Sequence, residues 1–362
     1  MRKLKIILPF KFIHGLIVMI LMGLSSLALL FLTYLLRPDT NCRKNISGFY
    51  AEGKNSLDTI YIGSSAAYYG WEPLHGFYEH GFTSYNLGTD ALQPQVIKYE
   101  VREILKTQTP KLLMIELRPF IYGSEISAVD GIKNMERVAP FRNVCDNLKI
   151  SKNRYDLIHN EAPTIEPEWT YHFDLSKYHT LLSQVIKKEN WKYLLNQKHL
   201  YSKGFFYHHE GRYIDLFMPE DMTKRQPVDK DVELVLRDLL DTLKSECPDT
   251  QVLFILMPYG AYMDEGAKAN YLFDIISEYG YDYFNSMLYV DDMGLDHSKD
   301  FRDSDHLNID GANKFSQYFA DYLANNYELP DHRTDNAYKD WFDDYNTWSL
   351  EINDVEVMLT DY

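Results

Sequence analysis

Hydrophobic positions divide this chain into one long apolar block and a series of short ones. Residues 15–36 hold no charged side chain. At about 1.5 Å of rise per residue, a helix of that length spans a hydrocarbon core. Arg37 and Pro38 end the block, and Arg2, Lys3, Lys5 and Lys11 lie before or at its start. That bias predicts a cytoplasmic N-terminus, residues 1–14, and an extracytoplasmic location for everything after Pro38. A cleaved signal peptide has a shorter core and small residues at its cut. The block here is long, and Tyr34-Leu35-Leu36-Arg37 has no cleavage pattern, so 15–36 reads as a retained transmembrane signal anchor in the cell membrane. The polar stretch 37–57, with scattered glycines, reads as a juxtamembrane linker.

Beyond it the short blocks alternate. Thr59-Ile60-Tyr61-Ile62 predicts a strand that stops at Gly63, with a short helix and turn over 74–82 and a second strand over 83–87. Val96, Ile97, Val101, Ile104 and Leu105 recur at helical spacing within 95–106. The nearly continuous apolar runs 111–117 and 251–257 predict central parallel strands. Helices over 229–245, 265–279 and 312–326 and a last strand over 281–285 complete the series. The pattern predicts an α/β domain over 58–327, a three-layer doubly wound parallel sheet of flavodoxin-like kind. Residues 124–228 break the alternation and read as an insertion over the sheet, where specificity would reside. Within it we expect one long helix over 176–195 and an aromatic-rich loop or hairpin over 201–217. The acidic tail 328–362 keeps Tyr338, Trp341, Phe342, Tyr345 and Trp348, which argues against plain disorder and for packing on the domain or on a partner.

Composition narrows the partners. A net charge of −16 argues against nucleic acid, whose phosphates are bound by Lys and Arg. Aromatics make up 15% of the chain, with 29 tyrosines, which fits aromatic-lined sugar clefts and fits equally well tyrosines that fill strands. Cys42, Cys145 and Cys247 have no metal-ligand spacing, and an extracytoplasmic domain would permit a Cys145–Cys247 disulfide. His208-His209-Glu210 lacks the i, i+4 spacing of a helical metal site. There is no glycine-rich phosphate loop. No metal and no cofactor are expected.

The chemistry-bearing residues sit at strand ends. Gly63 delivers two hydroxyls, Ser64 and Ser65, to the carboxyl end of a buried strand, where ligands of such sheets bind. A serine nucleophile needs a base and a group that orients the base. Asp303-Ser304-Asp305-His306 offers both. Asp303, three positions before His306 on a turn, can fold back to the imidazole, whereas the side chain of Asp305 points away from its neighbour. Ser64 is an alternative nucleophile in this scheme, and Ser65 also fits a plain helix cap. Both aspartates also fit a plain surface turn.

Three short blocks carry a resemblance. Gly63-Ser64-Ser65-Ala66, Asn86-Leu87-Gly88 and Asp303-Ser304-Asp305-His306 resemble, in this order, blocks of the SGNH (GDSL-type) esterase and acyltransferase superfamily. The resemblance implies Ser65 as nucleophile, Asp303 and His306 as its partners, and the N–H groups of Ser65 and Gly88 as oxyanion donors. The superfamily's Gly-x-Asn-Asp block is missing. After Leu117 stand Arg118, Pro119 and Phe120. Arg118 either pairs with Glu116 or a tail acid, or stands in for the missing Asn as a donor. Gly88 fits a simple turn glycine as well. The anchored architecture is similar to that of the D-alanyl-transfer protein of teichoic acid modification and the alginate O-acetylation proteins. That likeness implies an extracytoplasmic esterase or O-acyltransferase. Its partner would be an envelope glycan or acylated small molecule, with a membrane-bound acyltransferase beside it. The alternative is a catalytically inactive glycan-binding or scaffold module.

Overall fold

A computed structural model of the chain describes residues 10–122, 138–188, 191, 199–215, 223–261 and 264–360. The basic residues before position 10, and the parts of the insertion at 123–137, 192–198 and 216–222, lie outside the described residues.

The apolar block forms helix α1, Phe10–Leu36. Its stretch Phe12–Leu36 is long and apolar enough to cross a membrane, with a mean hydropathy of 2.5 in its best window and no burial inside the protein there. The expected linker is a correction. Thr40 caps a second helix, α2, Asn41–Phe49, by accepting from the Arg43 N–H. Cys42, Arg43, Asn45, Ile46, Gly48 and Phe49 are buried. The segment looks polar because its polar groups serve backbone carbonyls. The Arg43 guanidinium donates to the Arg37 and Tyr34 carbonyls at 2.6 and 2.8 Å, satisfying oxygens that α1 leaves open at its end.

Strands β1 (Thr59–Gly63), β2 (Ser84–Gly88), β3 (Leu112–Glu116), β4 (Gln251–Leu256) and β5 (Asp282–Asn285) form one parallel sheet in the order β2-β1-β3-β4-β5. This is a doubly wound α/β fold in the flavodoxin-like order. Strands β1, β2 and β3 are buried along their whole length, as strands covered on both faces must be. The crossover from β1 to β2 carries α3 (Ser65–Gly70) and α4 (Pro73–His80). The chain then reverses direction across the sheet, through α5 (Pro94–Ile104), β3 and the short α6 (Arg118–Ile121). Right-handed crossovers therefore place the two sets of helices on opposite faces, and the switch point falls between β1 and β3.

The described part of the insertion is helical in short pieces: α7 (Val138–Cys145), α8 (Lys152–Glu161), α9 (Trp169–His172) and α10 (Leu175–Tyr178). A long helix over 176–195 does not form. A 3-10 turn at Leu182–Ile186 follows α10 instead, and Leu182 and Ile186 face outward. Helix α11 (Lys230–Glu246) packs beside α5, α12 (Glu265–Glu278) follows β4, and α13 (Ile309–Asn326) packs on α3 and α4.

The tail also folds. Helix α14, Lys339–Thr360, buries Trp341 and Trp348. The Trp348 indole N–H donates to the buried Glu72 carboxylate, and Tyr345 stacks on Tyr78 at 4.2 Å. Cys42, Cys145 and Cys247 are buried free thiols, so the Cys145–Cys247 bridge is absent. The Cys145 thiol donates instead to Asp146 Oδ1 at 3.2 Å.

Candidate active site

The site grows from the carboxyl end of β1. Gly63 is there because nothing larger fits. A Cβ on it would lie 2.5 Å from Ala67 Cβ and 2.7 Å from Glu116 Oε2. Ser64 is the cap of α3, its hydroxyl accepting from the Ala66 N–H at 3.2 Å. The Ser64 N–H donates to the buried Glu116 carboxylate. The capping role thus falls on Ser64, which leaves the hydroxyl of Ser65, the first residue of the helix, free to face outward.

The partner turn comes from far along the chain. Strands β6 (Phe301–Asp303) and β7 (His306–Leu307) form a two-residue hairpin beyond β5. Ser65 Oγ lies 2.8 Å from His306 Nε2, and His306 Nδ1 lies 2.7 Å from Asp303 Oδ1. Both distances are within the range for direct proton transfer. The structure therefore brings Ser65, His306 and Asp303 into one line. Burial raises the pKa of Asp303, but the Asp305 N–H, at 2.9 Å, and His306 outweigh it and hold the carboxyl below its ordinary range. An ionised Asp303 favours the tautomer with Nδ1 protonated, which leaves Nε2 to accept from Ser65.

Two other strand-end loops brace this hairpin. Gly260, after β4, donates its N–H to the Ser304 carbonyl at 2.7 Å. Arg118, after β3, donates to the Asp305 carbonyl at 3.2 Å and to its carboxylate. The partner expected for Arg118 was Glu116 or a tail acid; it is Asp305, and the guanidinium also lies 4.4 Å over the Tyr259 ring. Asp305 thus holds the hairpin from outside while Asp303 serves the imidazole.

Gly88 ends β2 with an ordinary negative φ, so it is no turn glycine. Its need is space. A Cβ there would meet the Ser64 carbonyl and two Tyr68 carbons, each at 3.0 Å. Asn86, two residues earlier on the same face of β2, donates to the Ala67 and Trp71 carbonyls at 2.6 and 3.0 Å, holding α3 against the sheet. The Gly88 carbonyl accepts from Asn45 of α2 at 2.9 Å.

Residues 203–214 complete the rim. This aromatic stretch is a strap, not a hairpin, because its backbone pairs with distant elements. Asn86 N–H donates to Lys203, Phe206 N–H to Tyr68, Ile309 N–H to His208, Arg212 N–H to Phe301, and Ile214 N–H to His297, at 2.6–2.9 Å. The strap thereby covers the open edge of β2 and runs across α3 to the hairpin. It brings His208 to 4.7 Å from the Tyr69 ring, and Tyr69 lies edge-on to His306 at 5.3 Å. His208 Nε2 is buried without a partner. Burial and the nearby Arg302 keep its pKa below the ordinary value.

Sequence reading gave Glu116 only as a partner for Arg118 and His208 only in a motif that fails as a metal site, and it missed Tyr69. Glu116 was legible as an acid closing an otherwise apolar strand. Its pKa is raised by burial, against the Ser64 N–H and Arg118. The other two carry no signal beyond being aromatic. Among the described residues no group of three or more His, Cys, Asp and Glu side chains is arranged to hold a metal.

No protein-family model matches the chain, and no curated protein matches it. Among solved structures it is similar to a protein from Parabacteroides merdae ATCC 43184 provisionally assigned as a GDSL-like lipase. The two are 12% identical, with a TM-score of 0.32 over 75% of this chain and 99% of that one. A likeness of that extent assigns no chemistry, which is argued from the residues themselves.

Proposed function

We propose that this chain is an extracytoplasmic serine esterase or O-acyltransferase that acts on acyl esters of a cell-envelope glycan. One observation carries the reading: the hydrogen-bonded line from Ser65 through His306 to Asp303 at the sheet's carboxyl edge. His306 Nε2 takes the Ser65 proton as Oγ attacks the ester carbonyl. Asp303 stabilises the imidazolium that forms. The backbone N–H groups of Ser65 and Gly88 hold the oxyanion, each donor contributing about 3–4 kcal/mol. The imidazolium gives its proton to the departing alcohol, leaving an acyl group on Ser65. His306 then takes a proton from water or from a sugar hydroxyl, whose oxygen attacks the acyl carbon and frees Ser65. Tyr69 and His208 would line the path of that acceptor. In the transfer reaction, a membrane-bound acyltransferase would be the source of acyl groups.

A second reading, a non-catalytic glycan-binding or scaffold module, is favoured by one feature. Where the superfamily carries a donor Asn, this chain has Arg118, and that side chain is engaged with Asp305. The test is 4-nitrophenyl acetate with wild type, Ser65→Ala and His306→Ala. A nitrophenol burst and fluorophosphonate labelling, both lost in the two variants, are expected. Wild type that is inert and unlabelled, like Ser65→Ala, would sink the catalytic reading and leave the module.

A further inference from the structure

The end of α1 is fastened to the domain by buried charge. Arg37 Nε donates to Asp174 Oδ2 at 3.0 Å, and Arg154 Nη2 meets Asp174 Oδ1 at 3.0 Å. All three residues are buried. Asp174 immediately precedes α10, and both α10 and the turn Leu182–Ile186 lie against α1. Trp191 reaches the Phe31 ring edge-on at 5.6 Å.

This neighbourhood is apolar and outward-facing. Leu182 is 69% exposed, Ile186 84% and Trp191 41%. Lys187 and Lys188 beside them are exposed too. In a soluble domain such a cluster has no solvent-side explanation. Its height along α1 supplies one. The apolar stretch Phe12–Leu36 has 25 residues. At about 1.5 Å per residue it is several ångströms longer than a hydrocarbon core of about 30 Å. Its last turn, with Thr33, Leu35 and Leu36, is wrapped by the domain. Phe31 therefore marks the edge of the hydrocarbon, and Trp191 stands at that level. Trp residues concentrate at this boundary, and apolar faces seat about 5–10 Å into it while lysines reach lipid phosphates.

We propose that residues 182–188, with Trp191, make a second membrane contact, an interfacial seat for the bilayer surface beside α1. Leu182, Ile186 and Trp191 enter the headgroup–acyl boundary, and Lys187 and Lys188 face the phosphates. With Arg37 locked to Asp174, the domain then sits on the bilayer at one height and tilt. The inference rests on α1 spanning the membrane, and not on the esterase reading.

The test places one nitroxide label at a time on Leu182→Cys and Ile186→Cys of the full chain in phosphatidylcholine–phosphatidylglycerol nanodiscs. Leu24→Cys reports the span, and Tyr213→Cys, at a position 64% exposed on the strap, reports water. The native thiols are buried and stay unlabelled. Labels at 182 and 186 are expected to collide with oxygen more often than with a nickel chelate, as at 24 and opposite to 213. If 182 and 186 behave like 213 while 24 lies in lipid, the anchor stands and the interfacial seat is overturned. If both reagents are excluded at 182 and 186, a second copy of the chain covers them and lipid contact is overturned. A water-accessible label at 24 overturns anchor and seat together. Ester turnover on the same samples reads the catalytic proposal separately.

Discussion

Two strand-end turns meet at the Ser65–His306 hydrogen bond, and they are held by different means. The β1–α3 turn is held by space. Gly63 admits neighbours at distances no side chain would tolerate, Gly88 admits them where a Cβ would force a shift, and buried Glu116 ties down the Ser64 N–H. The β6–β7 hairpin is held by charge and hydrogen bonds nearer the surface. Arg118 grips Asp305, and Gly260 grips Ser304. The difference suggests a division of labour. The hydroxyl is fixed by packing, which tolerates no volume change. The imidazole is fixed by polar contacts, which tolerate volume but not neutralisation.

The substitutions that test this division run from large effects to small. Ser65→Ala removes the point where the turns meet, and turnover of an activated ester should fall by up to about 10⁶-fold with unchanged thermal stability. A fall of less than tenfold would mean that another group attacks. Asp303→Asn keeps the shape of the hairpin but favours the wrong tautomer, and a loss of about 10⁴-fold in kcat is expected. On the packed side, Gly88→Ala should destabilise by about 1–3 kcal/mol in urea titration, because backbone and Tyr68 must both shift. Arg118→Met should do the opposite of Gly88→Ala: a loss of about 1 kcal/mol or less in stability, since Asp305 is half exposed, but about 10–10²-fold in kcat as His306 drifts. Equal stability losses for these two variants would erase the distinction between the turns.

The smallest effect concerns His208. Its folded pKa lies below the unfolded value, so the unfolded chain binds the extra proton first. Stability from this group is present above about pH 6.5, the ordinary histidine value, and falls as pH drops through the folded pKa. His208→Phe should flatten the fall in melting temperature as pH drops below about 6.5. An unchanged slope would show that other groups govern it.

The strands, their order and the three blocks around Ser65, Gly88 and His306 were legible because each is a local pattern: an apolar run, a glycine, a spacing of three. What was not legible depends on pairing across the chain. Arg118 and Asp305 are 187 positions apart, and nothing local distinguishes that partner from Glu116 next to the arginine. Helix α2 escaped notice because its buried Arg43 and Asn45 look like linker residues until the carbonyls they serve are known. The 176–195 stretch misled in the other direction. It reads as one long helix, yet it breaks after α10 into a 3-10 turn whose Leu182 and Ile186 face outward. Trp341 and Trp348 read as packing residues, but their partners, Phe77, Phe205, Glu72 and Lys203, lie far along the chain.

The Asn45–Gly88 hydrogen bond bears on where the chain can be cut to remove α1. Asn45 lies only eight residues after Arg37, and Tyr85 of β2 donates back to its carbonyl at 2.7 Å. A protease cut anywhere between 46 and 57, or a fragment begun at residue 58, would take Asn45 away with α1. The released domain would keep Ser65, Asp303 and His306 but lose the amide that steadies Gly88 beneath them. Removing α1 and α2 together would therefore not leave an intact site. A usable soluble form must begin ahead of Thr40, so that α2 stays with the sheet.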